Sequence, residues 1–260
     1  MFIGRLKKIW AYRDLILAFV VRDLKVRYRG SVLGFLWSFL DPLVNMLVLW
    51  VVFGFLFARG IENFAIFLLI GILPWGFFSG SVSQGSAVIS ESRGLIKKIS
   101  LPREVFPISI VIANLVHFFF ALVILVFFLV AAGVPASPLA LLFFPVVLIL
   151  AIVFNLGVTF ITSSISVYFK DFPFIVESFL RIFYFATPIF YSVTMIPEKF
   201  RDFFLLNPLA SMVTAYRQIL MEGRVPELSL LVLFGLAAFL VLSLGWFVFV
   251  RLEKGFAEEV

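Results

Sequence analysis

The chain has 260 residues, of which 63% are hydrophobic and only 14% charged, and its mean hydropathy is +1.16. Because soluble proteins average about 25% charged residues, this composition excludes an ordinary soluble domain and indicates an integral membrane protein. The excess of basic over acidic residues is expected from membrane topology rather than nucleic-acid binding, since the basic segments flank apolar runs.

The N-terminal segment, residues 1–32, predicts a cytoplasmic interface helix rather than a span. Over residues 5–30, apolar side chains recur at three- and four-residue intervals with charges between them. This pattern is typical of a helix lying along a membrane surface. Gly30 marks the break before the first span. A basic cluster lies near the end of this segment: Arg22, Lys25, Arg27 and Arg29.

The membrane spans follow from the distribution of charge. No charged residue occurs between Glu104 and Lys170, a gap of 65 residues interrupted only by GVPASP at 133–138. Because a spanning helix needs about 20 apolar residues, this gap predicts two spans joined by a short turn. The same rule places six spans near 33–57, 64–89, 105–132, 139–167, 172–192 and 228–250. We therefore predict an all-α integral membrane protein with six transmembrane helices, in a single domain over 1–260.

The orientation of the chain is predicted from its Lys and Arg residues. Six spans put both termini on one side of the membrane. The segments on that side carry 15 Lys and Arg residues, against five in the loops of the other side. Short basic loops stay in the cytoplasm, so both termini are predicted to be cytoplasmic. The final segment, 228–260, then contains span six and a cytoplasmic tail.

Two of the predicted loops are long enough to have helices of their own. The loop at 90–104 is the longest cytoplasmic connection, and we expect a short helix through about Ile99 that a partner could contact. On the outer side, residues 193–227 are far longer than an ordinary connection. Pro197 and Pro208 suit first helical turns and Gly223 suits a helix end, which predicts two short helices that re-enter the outer leaflet. In the second helix, Arg217, Gln218 and Glu222 are predicted to lie away from an apolar face formed by Leu209, Met212, Val213, Tyr216, Ile219 and Leu220.

The sequence contains none of the common catalytic or metal-binding motifs. There is no G-x-x-x-x-G-K-[ST] loop to hold a nucleotide and no G-x-S-x-G elbow. With one histidine and no cysteine, the usual zinc sites and thiol chemistry are excluded. We therefore predict a non-catalytic chain that binds no metal and no cofactor itself.

Polar groups at membrane depth are the remaining functional candidates, because they are costly to bury in lipid. Glu177 and Arg181 lie one helical turn apart and are expected to pair, either to fix helix packing or to line a pathway. Asp41 is compatible with a substrate contact or with a break in span one. Asn114 and His117 are expected to tie helices together or to relay protons.

Aromatic residues are abundant, and 36 of the 260 residues are Phe. Most are expected to face lipid or form interfacial belts. Those at the start of span one and in span five are compatible with a pore on which sugar rings stack. With the polar residues above, the channel-lining candidates are Phe35, Trp37, Phe39, Asp41, Glu177, Phe179, Arg181, Phe183 and Tyr184.

The order of these parts resembles a known family. The basic N-terminal helix is followed by SVLGFLW, a cytoplasmic loop ending LPREVFP, and an outer connection ending NPLASMVTAYRQILMEG. Nearly the whole chain is similar to the permease subunit of type-2 ABC transporters, and within it to polysaccharide exporters of the O-antigen type. Together, LPREVFP and the NPL…YR segment are specific for this resemblance.

The resemblance implies roles for two groups of residues. Positions at the bend before span one and in the 91–100 loop would couple to an ATPase: Leu33, Gly34, Glu91, Arg93, Leu95 and Lys97. The segment matching 196–222 would form periplasmic gate helices over the outer mouth of the channel, with Pro197, Phe200, Asn207, Pro208, Met212, Tyr216 and Arg217.

The implied function is export across the bacterial inner membrane by a homodimer with two nucleotide-binding ATPase subunits, which hold ATP and Mg. The implied substrate is a glycan linked to a polyprenyl diphosphate lipid. The basic cluster at 22–29 would then meet the diphosphate headgroup, or else anchor the helix to anionic membrane lipids.

Other functions remain open. Exporters of teichoic acid, capsule or small amphiphiles share the same family. A secondary transporter would need coupling charges near the midplane, for which Glu177, Arg181 and His117 are the candidates. A membrane-embedded transferase would need acidic or metal-binding residues on a large outer loop, and 193–227 has only scattered Glu and Asp.

Overall fold

The computed structural model describes residues 2–57, 61–98 and 101–259. Within these ranges the regular secondary structure consists entirely of helices. The all-α prediction is therefore confirmed. In chain order the α-helices are α1 Phe2–Ala11, α2 Arg13–Arg27, α3 Trp37–Phe57, α4 Phe64–Glu91, α5 Arg93–Lys98, α6 Val105–Ala131, α7 Pro138–Leu141, α8 Phe144–Tyr168, α9 Phe172–Ala186, α10 Glu198–Leu205, α11 Pro208–Leu220, α12 Leu228–Leu252 and α13 Phe256–Glu259.

Five helical segments in the described ranges are long and apolar enough to cross a membrane. They correspond to the predicted spans one to four and six: Gly34–Gly54, Phe64–Glu91, Val105–Ala131, Pro138–Tyr168 and Leu228–Gly255. Since each of these can cross a bilayer, the chain is a multi-pass integral membrane protein.

The fifth predicted span, 172–192, is shorter as a helix than the sequence suggested. Helix α9 has 15 residues, so it is about 22 Å long, which is less than the ~30 Å hydrocarbon core. It ends because Thr187 precedes Pro188, and the residue before a proline disfavours helical backbone. Thr187 is accordingly extended, with φ −102° and ψ 135°.

Helix α4 forms the centre of the bundle. It packs against α3, α6, α8, α9 and α11, and Leu68 and Leu69 on it are completely buried. Such burial on all sides explains why its sequence is apolar with little helical periodicity. Phe77 lies 5.7 Å from the ring of Phe118 on α6, within an extensive set of aromatic contacts that joins the spans.

Helices α8 and α12 make the closest pairing in the bundle. A Cβ atom at Gly157 would lie 2.5 Å from the backbone nitrogen of Leu242, and one at Gly245 would lie 2.2 Å from the carbonyl oxygen of Gly157. Only glycine permits this approach of the two backbones, as is common where membrane helices pack through small residues. Near their C-terminal ends, the Tyr168 hydroxyl donates to the Leu252 carbonyl at 2.8 Å, so the two helices run parallel.

Both ends of the chain lie at the same end of the bundle, which we call the terminal end. Arg5 on α1 contacts Glu104, just before α6, at 2.9 Å, and it also contacts Glu253, just after α12. The opposite end, which carries α10 and α11, is the far end. Helix α9 runs antiparallel to α4, since Glu177 meets Ser83 and Tyr184 meets Trp75.

The interface helix differs from the prediction in two ways. It is divided at Tyr12 into α1 and α2, rather than continuous over 5–30. Its packed face is also different: α2 buries Ile16, Phe19 and Val20, and Phe19 stacks on Phe106 of α6 at 5.4 Å. The apolar face predicted from the sequence consists of Leu6, Ile9, Trp10, Leu17, Val20, Val21, Leu24 and Tyr28. Of these, Val20 is buried as expected, whereas Trp10, Leu17 and Val21 are exposed. The aromatic contact between Phe19 and Phe106 explains which side of α2 turns inward.

Candidate functional site: an exposed channel face, a far-end helix pair and a terminal-end coupling region

The channel-lining candidates lie on two helices that flank α4, except for Phe35, which lies in the turn just before α3. Helices α3 and α9 both pack on α4. Phe35, Trp37, Phe179 and Phe183 are 40% to 57% exposed. Asp41, Glu177 and Arg181 are also exposed, while Phe39 and Tyr184 are half-buried. The candidates thus contribute to open faces of α3 and α9 rather than to the packed core.

The predicted ion pair between Glu177 and Arg181 does not form in the structure. Neither residue forms an ion pair within 4.0 Å with another residue that the structure describes, and the Ser83 hydroxyl on α4 donates to the Glu177 carboxylate instead. The two charged side chains nevertheless line one groove of about 370 Å³ between α4 and α9. Its other lining residues include Trp75 and Tyr184. The groove therefore combines an acid, a base and aromatic rings, a set that can bind hydroxyl-rich molecules.

The two predicted outer helices are present as α10 and α11, but α11 is far more buried than expected. Met212 and Tyr216 are 2% and 1% exposed, and Gln218, predicted to lie on the polar face, is 2% exposed. Pro197 and Phe200, at the start of α10, are exposed. Within the far-end segment, therefore, α11 is part of the packed bundle, whereas α10 has exposed residues at its first turn.

The position of Arg217 is the main difference between the predicted and the observed structure of this segment. It was predicted to lie away from the apolar face, yet it is only 5% exposed. Its guanidinium lies 3.4 Å from the ring centroid of Phe67 and donates to the carbonyl of Ile189 at 2.7 Å. Weaker contacts reach the carbonyls of Phe67 and Tyr191 at 3.4 and 3.5 Å. These acceptors and the aromatic face compensate for burying the charge, and they tie α11 to α4 and to the segment after α9.

Asn207 fixes the start of α11. Its Oδ1 atom accepts from the Leu209 amide at 3.0 Å, and Pro208 occupies the first turn, as the Asn-Pro pair predicts. The Asn207 amide nitrogen also donates to the carbonyl of Ala186 and to the Thr187 hydroxyl at 3.2 and 3.4 Å. One side chain therefore caps α11 and holds it against the end of α9.

The predicted coupling residues lie at the terminal end. Gly34 has a φ of +49° and follows an exposed turn that begins at Gly30, with φ +76°, so the chain bends sharply between α2 and α3. Leu33, Glu91, Arg93 and Lys97 are exposed and Leu95 is half-buried. The expected loop helix is α5, whose Ile96 is buried while its basic residues face outward. Ile99, where this helix was predicted to end, lies outside the described residues.

A basic pocket of about 610 Å³ lies beside α5. Its walls come from α1, α5, the LPRE turn and the segment after α12, and its basic lining residues are Arg5, Lys8, Lys97, Lys98, Arg103 and Lys254. The hydrogen bond with Glu253 is the main reason why the pKa of Arg5 is raised, and Glu104 adds to it. Positive charge therefore prevails in a pocket to which both ends of the chain contribute.

The four basic residues proposed to meet a lipid headgroup do not form one site. Arg22 donates to its neighbour Asp23 at 2.8 Å, and Arg27 donates to the side chain of Asn114 at 3.1 Å. Lys25 and Arg29 are exposed. The cluster is therefore divided between side chains engaged in the fold and side chains free to meet lipid.

Sequence reasoning missed a polar network at the junction of α2 with the spans. It identified Asn114 and His117, but not Gln84, which accepts from Asn114, nor Tyr28, which is hydrogen-bonded to His117, nor Ser38, which is hydrogen-bonded to Tyr28. The Tyr28 hydroxyl lies 3.0 Å from Nδ1 of His117 and 2.5 Å from Oγ of Ser38. The available signal was the presence of Ser38 and Gln84 inside otherwise apolar spans.

No group of three or more His, Asp or Glu side chains suited to a metal ion occurs in the part of the chain that the structure describes. The arrangement instead offers an exposed groove, a far-end helix pair and a basic terminal end.

Comparison with known proteins identifies the family. Residues 14–221 match the ABC-2 type transporter family. The chain is 37% identical over 257 residues to the O-antigen export system permease protein RfbA of Myxococcus xanthus, covering 98% of both chains. It is 32% identical to the RfbA protein of Klebsiella pneumoniae, with 94% of each chain covered, and 27% identical to the polysialic acid transport protein KpsM of Escherichia coli, with 81% of this chain and 82% of KpsM covered. The chain therefore belongs to the ABC-2 type transporter family as a permease.

Proposed function

We propose that this chain is the membrane subunit of an ATP-driven exporter that moves a lipid-linked polysaccharide of the O-antigen type out of the cytoplasm. The main support is the near full-length similarity to permeases named for O-antigen export. Because the sequence lacks a nucleotide-binding loop, ATP and Mg are expected on a separate ATPase subunit.

The exposed faces of α3 and α9 support a homodimer around a channel. Asp41, Glu177 and Arg181 are exposed in the single chain although they lie on membrane helices. Charged side chains facing lipid are costly, so these residues are expected to face water or a second copy of the chain. A dimer that brings together α3 and α9 from both copies places them around a shared pathway, with aromatic rings for sugar stacking.

The direction of α9 supports a six-crossing topology. This helix begins near the terminal end and runs antiparallel to α4, and α12 later returns to the terminal end. The chain between them must therefore reach the far side, with α9 and the extended segment after Thr187 completing the crossing. Helices α10 and α11 then re-enter from that side. The 15-to-five distribution of Lys and Arg supports an orientation with the terminal end in the cytoplasm and the far end in the periplasm.

The coupling region is expected to dock the ATPase. Helix α5 presents Arg93 and Lys97 outward beside the basic pocket, a surface suited to acidic groups on a partner. ATP binding on the partner would move this surface and the bend at Gly34, and so open the pathway along α3 and α9.

Cells provide the test of this function. Deleting the gene for this chain should leave the lipid-linked polysaccharide inside the cytoplasmic membrane, and restoring the wild-type chain together with its ATPase should return it to the outer surface. The similarity to a polysialic acid transport protein makes capsule-like polymers the second candidate substrate. Normal surface polysaccharide, O-antigen and capsule alike, in the deleted strain would contradict the proposal.

A further inference from the structure

The residue that follows interface helix α2 is hydrogen-bonded to two membrane helices by its hydroxyl group. Tyr28 follows the end of α2, and its hydroxyl shares a 2.5 Å hydrogen bond with Oγ of Ser38 on α3. The same hydroxyl is hydrogen-bonded to Nδ1 of His117 on α6 at 3.0 Å. Ser38 is completely buried, and Tyr28 and His117 are half-buried. One phenol group thus connects three helices in a site from which water is largely excluded.

The covalent connection between α2 and α3 is, by contrast, poorly suited to transmit movement. It contains two glycines with positive φ, Gly30 and Gly34, and Val32 between them is fully exposed. Such a turn can absorb rotation by changes in its backbone angles, as hinge segments do. Movement of α2 therefore needs a non-covalent contact to reach α3, and the Tyr28 hydroxyl supplies one.

A second contact anchors the same end of α2. Arg27 donates to Oδ1 of Asn114 on α6 at 3.1 Å, and the Asn114 amide donates to Gln84 on α4 at 3.2 Å. Asn114 is 3% exposed, and a Cβ at Gly80 would lie 2.6 Å from its Oδ1, so the amide fits closely against α4. The end of α2 is therefore joined to α3, α4 and α6 by polar contacts within two successive residues.

We propose that Tyr28, held between Ser38 and His117, is the positioning residue that transmits movement of the interface helix to the channel helix α3. The inference rests on the proposed export function and adds a specific coupling joint to it. In this joint the hydroxyl acts through α3 rather than on the substrate or the nucleotide. Loss of the hydroxyl should let the partner hydrolyse ATP while α3 no longer follows.

The chain offers a substitution that removes this hydroxyl and little else. The Tyr28 ring packs edge-on against Phe35 at 5.8 Å with an interplanar angle of 76°. Tyr28→Phe keeps that ring contact and deletes only the two hydrogen bonds. Tyr12→Phe is the matched control, because Tyr12 precedes the first residue of the same helix.

The experiment uses the complete complex of two permease chains with two ATPase subunits in lipid vesicles, and measures polysaccharide transported per ATP hydrolysed. For Tyr28→Phe we expect this ratio to fall about tenfold, as the loss of two partly buried hydrogen bonds predicts. Hydrolysis per assembled complex should remain close to that of the wild type. Tyr12→Phe should leave both values unchanged.

Variants of the two partners distinguish coupling from simple packing. Ser38→Ala should lower the same ratio, and His117→Leu should do so as well. His117→Asn restores a hydrogen-bonding group near the position of Nδ1 and should recover part of the ratio. The double variant Tyr28→Phe with His117→Leu should lose no more than Tyr28→Phe alone, since Tyr28→Phe already removes the contact with His117.

Two different failures can be told apart. If the wild-type complex transports no polysaccharide, the proposed function is wrong. If it transports normally and Tyr28→Phe and Ser38→Ala both keep the wild-type ratio, the coupling joint is overturned while the function stands. A fall in ATP hydrolysis in parallel with transport, with the ratio unchanged, would also contradict the joint, because it would indicate a general loss of folded complex.

Discussion

Replacing Arg217 by Met should destabilise the protein strongly, even though it removes a charge from an apolar helix bundle. Met preserves the length and packing of the side chain without the guanidinium. In the native structure that group lies 3.4 Å from the ring centroid of Phe67 and 2.7 Å from the Ile189 carbonyl. The substitution would therefore release α11 from α4 and leave the Ile189 carbonyl without this donor.

The expected size follows from these contacts. A hydrogen bond to a charged group contributes about 1.5 to 3 kcal/mol, and a desolvated cation–π contact about 2 kcal/mol. The contacts at 3.4 and 3.5 Å are near the limit for hydrogen bonds and add little. The free energy cost of burying the Arg217 charge offsets part of this stabilisation. That cost is increased because Nε of Arg217 has no hydrogen-bond partner among the described residues. We therefore expect a net loss of about 3 kcal/mol, which falls within the range for broken buried contacts.

Thermal unfolding of the purified protein in lipid discs measures this loss. For a protein of this size, about 3 kcal/mol corresponds to a drop of about 6 to 12 °C in Tm. Arg224→Met is the matched control, because Arg224 is exposed and pairs with Glu222 at the surface. Its loss should cost less than about 1 kcal/mol. Equal Tm values for the two variants would show that the buried Arg217 guanidinium does not hold α11 in place.

Three further predictions concern packing, coupling and catalysis. Gly157→Ala should lower the free energy of unfolding by about 1 to 3 kcal/mol, because the new methyl group would meet the α12 backbone. Gly76→Ala is the control: its methyl group would enter open space, so the same unfolding assay should show no change or a slight stabilisation. Replacing both Glu91 and Arg93, or deleting residues 95–98, should abolish export and crosslinking to the ATPase while the chain still inserts; unchanged export would show that this surface is not the docking site. The purified chain alone should hydrolyse no ATP, and should support hydrolysis only with its partner subunit, since it lacks a nucleotide-binding loop.

Much of the helical architecture was predictable because membrane spans are coded locally. The 65 uncharged residues between Glu104 and Lys170 can satisfy their backbone hydrogen bonds in lipid only as helices, and the structure has α6 and α8 there. The start of α11 was equally readable, because Asn207 and Pro208 act on the helix turn that follows them. Signals that act within a few residues therefore predicted the elements well.

The long-range contacts of the candidate site could not be predicted in the same way. Arg217 finds its acceptors at Phe67 and Ile189, which lie 150 and 28 positions away, so its burial has no local signal. Glu177 likewise accepts from Ser83, 94 positions away, instead of pairing with Arg181 one turn along its own helix. In both cases a tertiary partner outcompetes the local pattern, which is the usual limit of reasoning from periodicity.

ATP-dependent transport by purified components tests the proposed export function most directly. Inside-out vesicles containing only this chain and its ATPase subunit are given ATP outside and a polysaccharide linked to a polyprenyl diphosphate in their outer leaflet. We predict that the polymer becomes protected from an added glycan-degrading enzyme, and that an ATPase variant unable to hydrolyse ATP gives no protection. Polymer that stays fully degradable with the active complex, or becomes protected without ATP hydrolysis, would contradict ATP-driven export by this chain.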